Sequence, residues 1–475
     1  MIPGMRTSQF VGKRVAVIGM RQTGRATARV LRDLGADVVL SDSASAEVLG
    51  EEYSLASALG VTLLPSASPV MALEGAELVV PSPGVPKDSP VLQLALRMGL
   101  PIVSEIEIAY RIARSPILAV TGTNGKSTTA AWLARMLAES SRSVRLAGNI
   151  SADELKCPLI TAASECGEHD VLVAEISSFQ LEWVERFRPR VGILTNIRVD
   201  HLDRHGSFEE YARCKAKLFA AQRPDDVAVI NAANAPARQI GSHVRSRVVW
   251  FDGGLPLGDD RAFVRDGRLT VRYKGTDYLL VRPEEVSLPG RHNLENALAA
   301  AAAAVAFGAD PDAICRALRT FEPLPHRCER VAEFGSVIFL NCSMTTNVDA
   351  AIHVLEAIGR PVILIAGGRP NVEDYRPLGN AIARYAHCAI LLGEAAPIIQ
   401  EAAERAGCTA IARARDMREA VALAVRAARP GDAVVLAPAC KSLDMYRNFE
   451  ERGQAFRDAV SEVLRTLAVE RSTVR

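Results

Sequence analysis

The 475-residue sequence has almost no net charge and no apolar run long enough to cross a membrane. Its 56 lysine and arginine residues balance 55 aspartate and glutamate residues, and the net charge of +1 gives no support for a nucleic-acid-binding surface or a polybasic membrane surface. The longest apolar run, residues 297–307, is alanine-rich and favours a packed helix. The first residues lack the basic segment and long apolar stretch of a secretory signal. We therefore expect a cytoplasmic protein with no nucleic-acid partner and no membrane insertion.

The nine cysteines include no CxxC pair and show no regular spacing. Reduced thiols are therefore expected, rather than a disulfide framework or a zinc site. Hydrophobic residues make up 49% of the chain and charged residues 23%, as in ordinary soluble proteins. A chain of this length exceeds a single core, and roughly three domains are expected.

One stretch carries a clear chemical signal. Residues 117–120 form a short apolar run typical of a buried strand, and a helical pattern begins at Thr129. The turn between them contains two glycines and a Lys-Ser pair, which is the composition of a loop that binds phosphate at a helix N-terminus. The glycine spacing is shorter than in the usual Walker A motif, so an ordinary strand-to-helix turn is the alternative. We predict nucleoside triphosphate binding by Gly122, Thr123, Asn124, Gly125, Lys126, Ser127 and Thr128.

Further polar groups follow later strands of the same region. Glu175 ends the apolar run 171–174, where a carboxylate that binds Mg²⁺ is expected beside a phosphate loop. Residues 200–205 contain two aspartates and two histidines, which favours a metal or phosphate role over a solvated loop. The helix predicted over 211–219 carries two lysines, Lys215 and Lys217.

The pattern of the N-terminal region predicts a βαβ unit, with strands at 14–19 and 37–40 around a helix at 24–34. Gly19 and Gly24 match the outer glycines of a dinucleotide-binding fingerprint, but Arg21 replaces the middle glycine. NAD and another diphosphate or uridine nucleotide are both compatible with this pattern. A proline-rich turn at 81–84 follows the next strand and is either a ligand-binding edge or a structural turn.

The C-terminal region repeats strand, polar loop and helix, with strands predicted at 337–340, 362–365, 389–392 and 433–436. This is the pattern of a second doubly wound α/β domain. The predicted fold class is therefore α/β with three domains. They are a Rossmann-like domain (1–113), a central P-loop ATPase-like domain with a parallel sheet plus a small β region (114–324), and a Rossmann-like domain (325–475).

Several segments occur in an order that resembles the Mur ligases. They are TGTNGKSTT (121–129), EISSFQL (175–181), TNIRVDHLDRHGSFEEYARCKAKLF (195–219), GRHNLENALAA (290–300), PHRCE (325–329) and PACKSLDMYRNFEERGQAF (438–456). The segments at 82–85, 104–109 and 442–453 look most like the members that add D-glutamate to UDP-N-acetylmuramoyl-L-alanine. The resemblance implies an ATP- and Mg²⁺-dependent ligase of peptidoglycan precursor synthesis that forms an acyl phosphate, and a monomer.

The resemblance also implies roles for individual residues. Lys126 would hold the ATP phosphates, Ser127 and Glu175 would ligate one Mg²⁺, and His201 a second. Lys215 would be a carbamylated lysine that ligates Mg²⁺; it is preferred to Lys217 because it matches the family register. Asn293 and Arg327 match nucleotide contacts. The UDP substrate would be bound by Gly19, Thr23, Asp42, Ser82, Asn149 and His201, and the amino acid by Thr346, Ser442 and Phe449.

Two departures from the family pattern concern the amino-acid site. Residues 342–347 read CSMTTN where DSKATN is usual, so that Cys342 replaces the acid and Met344 a lysine. Asn371 stands where another lysine is expected after the glycine pair at 367–368. Two carboxylates desolvated without cations would be costly. Either Arg369 and Lys441 serve instead, or a sister ligase with another amino acid or acceptor is present. A non-catalytic nucleotide-binding protein and an NAD-dependent oxidoreductase are further alternatives.

Overall fold

The computed structural model describes residues 8–150, 157–251, 257–371 and 374–473. Two compact units are formed. The first contains the chain up to Val286 together with Glu295–Thr320, and the second contains Ser287–Leu294 and the chain from Phe321 onward. Within the described ranges, no helix has the length and apolar character needed to cross a membrane.

A four-stranded parallel sheet opens the first unit, with strand order β3-β2-β1-β4. Its strands are β1 (Arg14–Ile18), β2 (Asp37–Ser41), β3 (Thr62–Leu64) and β4 (Leu78–Pro81). Its helices are α1 (Gln22–Asp33), α2 (Ala46–Leu49), α3 (Glu51–Ser57), α4 (Pro69–Leu73), α5 (Pro90–Arg97) and α6 (Glu105–Ile112). The central strands are buried almost throughout because helices cover both faces of a parallel sheet. The predicted βαβ unit is present.

A nine-stranded sheet forms the rest of the first unit, with order β13-β12-β11-β10-β9-β8-β5-β7-β6. Its strands are β5 (Ile117–Thr121), β6 (Ser143–Gly148), β7 (Asp170–Glu175), β8 (Val191–Leu194), β9 (Val227–Asn231), β10 (Arg247–Phe251), β11 (Arg261–Arg265), β12 (Arg268–Tyr273) and β13 (Thr276–Leu279). Its helices are α7 (Lys126–Glu139), α8 (Leu159–Glu165), α9 (Leu202–His205), α10 (Phe208–Ala220), α11 (Ala235–Gly241), α12 (Arg291–Ala306) and α13 (Pro311–Thr320). Strands β11 to β13 pair antiparallel and continue the parallel sheet. Because β7, β5 and β8 are parallel neighbours, their carboxyl ends meet at one edge.

Helix α6 is tied to the nine-stranded part of the unit by one buried carboxylate. The Glu107 side chain is fully buried, and its Oε2 accepts the backbone N–H groups of Glu185, Arg186 and Phe187 at 3.1, 3.0 and 2.8 Å. Its Oε1 accepts Arg111 Nε at 2.9 Å. A neutral amide cannot replace all four bonds. We expect Glu107→Gln to destabilise this unit by about 2–4 kcal/mol, measured as a lower denaturation midpoint.

Glu185→Gln is the matched control, because Glu185 pairs with the same Arg111 at 3.1 Å through a side chain that is 54% exposed. An exposed pair contributes at most about 1 kcal/mol. Equal losses in the two variants would show that the buried hydrogen bonds of Glu107 contribute no more than an exposed ion pair does.

The second unit contains a six-stranded sheet with order β14-β15-β19-β16-β17-β18. Its strands are β14 (Glu329–Phe334), β15 (Val337–Asn341), β16 (Val362–Gly367), β17 (Ala386–Leu392), β18 (Ile411–Arg413) and β19 (Ala433–Leu436). Its helices are α14 (Val348–Ala357), α15 (Arg376–Tyr385), α16 (Ala396–Arg405), α17 (Met417–Ala427) and α18 (Phe449–Thr473). All pairs are parallel except β14 with β15. The four predicted strands are present, and the sequence analysis missed the two edge strands, β14 and β18.

Candidate active site

The predicted phosphate loop joins β5 to α7, and α7 begins at Lys126, three residues before the predicted start. Gly122 has φ +148° and Gly125 has φ +83°, conformations that side chains disfavour. A Cβ on Gly122 would collide with Thr195 Oγ1, and one on Gly125 would collide with Asn296 Oδ1. Both positions therefore require glycine for backbone conformation and for close approach.

A second loop, residues 195–198 after β8, fixes the shape of the phosphate loop. Thr195 Oγ1 donates to Asn124 O at 2.7 Å, and Asn124 N donates to Asn196 Oδ1 at 3.0 Å. Arg198 N donates to Thr123 Oγ1 at 3.0 Å. The loop conformation is thus set by the protein itself, which lowers the entropic cost of binding a phosphate chain.

A hydroxyl and a carboxylate meet below this loop. Ser127 Oγ donates to Glu175 Oε2, and both side chains are buried. Asn149 Nδ2 donates to the other oxygen of Glu175 at 3.4 Å. Hydroxyl and carboxylate oxygens are the hard donors that Mg²⁺ prefers. This donor set fits the predicted Mg²⁺ ligands Ser127 and Glu175.

Lys215 lies on α10 and reaches the phosphate loop. Its Nζ donates to Gly122 O at 2.6 Å and lies 4.7 Å from the centre of the Tyr211 ring, and the side chain is 1% exposed. Burial, together with the nearby Lys126 ammonium, lowers the pKa of Lys215 to about 7. Lys217 instead donates to Glu182 O at 2.6 Å. The two candidate lysines therefore face different surroundings, and Lys215 is the one beside the loop.

The two histidines of the 200–205 cluster also differ. His201 is partly exposed, lies 3.5 Å from Asp200 Oδ2, and has its ring 6.4 Å from that of Tyr211. His205 is buried with its Nε2 3.0 Å from Ser178 Oγ, and burial lowers the pKa of His205 to about 4. His205 is therefore a neutral packing residue, and His201 is the accessible imidazole.

The turn that begins at Gly19, which resembles a dinucleotide-binding loop, is held by hydrogen bonds to side chains of the same sheet region. Ser82 Oγ donates to Gly19 O at 3.3 Å, and Gly19 has φ +101°. Asp42 accepts the backbone N–H groups of Met20 and Ala44, each at 2.9 Å. The Thr23 backbone carbonyl, in the first turn of α1, accepts Thr27 Oγ1 at 2.8 Å. The predicted substrate residues Gly19, Thr23, Asp42 and Ser82 thus surround the carboxyl ends of β1, β2 and β4.

In the second unit, the backbones of the two candidate cationic residues are paired. Arg369 and Lys441 exchange backbone hydrogen bonds of 2.8 and 3.1 Å, and Arg369 Nε lies 3.6 Å from Glu394 Oε2. Asn371, which stands where a lysine was expected, donates its Nδ2–H to Thr346 O at 2.6 Å. It therefore stabilises the loop that carries Thr346.

The other predicted residues of the second unit have their own neighbours. Phe449 is the first residue of α18 and has its ring edge-on to His326 at 6.2 Å. Ser442 O accepts the N–H of Tyr446 at 2.9 Å. Asn293 Nδ2 donates to Pro289 O at 2.8 Å, and Arg327 N donates to Leu324 O at 3.1 Å.

Asn296 and Thr195 were not among the predicted site residues, although the loop glycines pack against them. Asn296 also accepts Thr129 Oγ1 at 3.3 Å. Its signal in the sequence is a second amide close to Asn293 near the start of α12. Thr195 opens the TNIRVDH segment and had no separate signal.

Comparisons with known proteins cover almost the whole chain. Residues 13–104 match the Mur ligase MurD-like N-terminal domain, 120–304 the Mur ligase middle domain, and 326–440 the Mur ligase glutamate ligase domain. A UDP-N-acetylmuramoylalanine–D-glutamate ligase from Pelotomaculum thermopropionicum is 43% identical over 95% of this chain and 98% of the relative. One of the same name from Thermoanaerobacter pseudethanolicus is 39% identical over 96% and 100%.

The chain belongs to the Mur ligase family. The resemblance and the α/β fold class with three Mur-type domains are confirmed. Solved structures agree at the level of fold. A UDP-N-acetylmuramate–alanine ligase from Thermotoga maritima covers 95% of this chain and 99% of its own at 19% identity and a TM-score of 0.60. A pseudomurein peptide ligase type C from Methanothermus fervidus covers 95% and 100% at 21% identity and a TM-score of 0.58.

Proposed function

We propose that this Mur ligase adds D-glutamate to UDP-N-acetylmuramoyl-L-alanine in the cytoplasm, at the expense of ATP, during peptidoglycan precursor synthesis. The observation that carries the proposal is the meeting of the phosphate loop, Glu175 and Lys215 at the edge of β5, β7 and β8. Relatives named for this reaction match over nearly their full length. The protein acts as a monomer in this proposal.

Different residues have different roles in the formation of the acyl phosphate. Backbone N–H groups at the start of α7 and the Lys126 ammonium bind the phosphates, with Lys126 moving from its 2.8 Å bond to Thr123 O. Ser127 and Glu175 would hold one Mg²⁺, and His201 with Lys215 a second. The metal would neutralise charge that develops on the transferred phosphoryl group. Transfer of the γ-phosphoryl group to the substrate carboxylate releases ADP, and the amino group of D-glutamate then attacks the acyl phosphate and displaces inorganic phosphate.

The state of Lys215 decides whether the site can hold a second metal. Among the described residues, no three His, Cys, Asp or Glu side chains are clustered as a metal site requires. Carbamylation adds CO₂ to the neutral amine and releases one proton, which turns Lys215 into an oxygen ligand. Because burial lowers its pKa to about 7, the Lys215 amine is neutral in a large fraction of the molecules near neutral pH, and the reaction with CO₂ requires this neutral form.

The uptake of CO₂ by Lys215 should depend steeply on pH. Because its pKa is lowered to about 7, the amine is mostly neutral above that pH and mostly protonated below it. At constant dissolved ¹³CO₂, the rate at which a carbamate NMR signal appears should fall about tenfold from about pH 8 to about pH 6. Lys215→Arg should give no such signal. A rate unaffected by pH, or a signal that survives Lys215→Arg, would contradict the assignment.

A ligation assay with a panel of amino acids tests the proposed reaction itself. UDP-N-acetylmuramoyl-L-alanine, ATP and Mg²⁺ are supplied, and ADP release is followed with D-glutamate and with neutral or basic amino acids. D-Glutamate should give the highest kcat/KM. ADP release only with another amino acid would support the alternative of a sister ligase. That alternative is suggested by Met344 and Asn371, which stand where lysines are usual. ATP binding without release across the panel would indicate a non-catalytic protein.

A further inference from the structure

One arginine of the second unit is buried without an acidic partner. Arg452 is 2% exposed and lies in the first turns of α18. Its Nε donates to Ser343 Oγ at 3.1 Å, its Nη2 to Ser343 O at 2.8 Å, and its Nη1 to Cys440 O at 3.0 Å. All three acceptors are neutral. Among the described residues, no carboxylate pairs with Arg452, and two of its five N–H donors have no acceptor.

Such a burial is costly in the absence of a compensating charge. Burial lowers the pKa of Arg452 to about 10, so the guanidinium keeps its charge at physiological pH. Asp444 acts on it electrostatically but does not pair with it, and its own Oδ2 accepts Glu394 N at 3.0 Å. The second unit therefore holds a desolvated positive charge with which no described carboxylate forms a direct ion pair.

The position of this charge relates it to the predicted amino-acid site. Ser343 lies in the loop after β15, three residues before Thr346, and its Oγ donates to Phe449 O at 2.7 Å. Cys440 lies two residues before Ser442 in the loop after β19. A Cβ on Gly368, in the loop after β16, would lie 3.1 Å from Arg452 Nη1.

Arg452 thus sits beneath three loops at the carboxyl edge of neighbouring parallel strands, the edge where α/β sheets bind ligands. Each of these loops carries residues predicted to contact the amino acid. A buried charge acts over several ångströms because protein screens it less than water does. A substrate with two carboxylates would be attracted more strongly than one with a single carboxylate.

We propose that Arg452 sets specificity for a dicarboxylic amino acid through its buried charge. The inference rests on the proposed ligation of D-glutamate. It also gives Arg452 the role of replacing the missing lysines that was first predicted for Arg369, because Arg369 already lies beside Glu394 at the surface.

The test compares Arg452→Gln, which removes the charge, with Arg452→Lys, which keeps it. Arg452→Gln should raise the KM for D-glutamate about tenfold and reduce the preference in kcat/KM for D-glutamate over D-glutamine by a similar factor, with the KM for ATP nearly unchanged. Arg452→Lys should keep that preference within about threefold. Ser343→Ala, which removes a hydrogen bond and leaves the charge, should also keep it.

Thermal melting distinguishes specificity from folding. A purely structural role would lower the melting temperature and kcat while leaving the preference for D-glutamate unchanged in Arg452→Gln, and that result would overturn the inference. If Arg452→Gln does not fold, loss of the preference in folded Arg452→Lys or Ser343→Ala would overturn it instead. Wild-type protein that ligates no D-glutamate would refute the proposed function, and the inference with it.

Discussion

Lys215→Ala is expected to lower the ligation rate by at least about a hundredfold, and short carboxylates such as formate or acetate should restore part of it. The substitution removes the α10 side chain that donates to the Gly122 carbonyl of the phosphate loop. The cavity it leaves is buried and adjoins polar groups, so a small carboxylate can occupy the place of the carbamate. The measurement is ADP release as a function of carboxylate concentration.

Lys217→Ala is the control for this experiment. Lys217 lies on the same helix and is bonded to Glu182 O, so its loss should leave the rate within about threefold of wild type and insensitive to carboxylates. Near-native activity in Lys215→Ala, or rescue in Lys217→Ala, would show that the assigned lysine or the carbamate mechanism is wrong.

Gly125→Ala is expected to weaken ATP binding about a hundredfold. Gly125 precedes α7 with φ +83°, and a Cβ there would collide with the Asn296 amide. Both the backbone strain and the collision displace the N–H groups that receive phosphate. Titration with a fluorescent ATP analogue measures the change directly.

Gly167→Ala offers a matched control because Gly167 does not have a positive φ and a Cβ would meet only Asp170 Oδ2, at 3.6 Å. Its affinity for ATP should equal that of wild type. If Gly125→Ala bound ATP normally, the loop would be adaptable, and the fixed conformation described above would not be required for phosphate binding.

The parts of this protein that were predictable from sequence are those set by neighbouring residues. An apolar run followed by a glycine turn and a helical pattern predicts β5, the phosphate loop and α7, with the helix start three residues late. The lysine assignment is a mixed case. Residues two apart lie on roughly opposite sides of a helix, so only one of Lys215 and Lys217 could face the loop, but choosing between them needed the family resemblance.

The parts that were not predictable depend on contacts between distant segments. Asn296 packs on Gly125 from 171 positions away in the sequence. Glu107 and Arg452 look like ordinary surface charges in their helices, and only the folded chain shows that both are buried. Strand β14 has mostly intermediate burial at a sheet edge, which leaves no apolar run to detect.

The division of the chain into two units, each with its own sheets and buried core residues, has an evolutionary consequence. The loop after β15, with its unusual Cys342 and Met344, belongs to the second unit, whereas the phosphate loop and Glu175 belong to the first. The contacts described above for the phosphate loop and Glu175 are made by residues of the first unit. A lineage can therefore change its amino-acid recognition without losing the described contacts that shape the site of carboxylate activation.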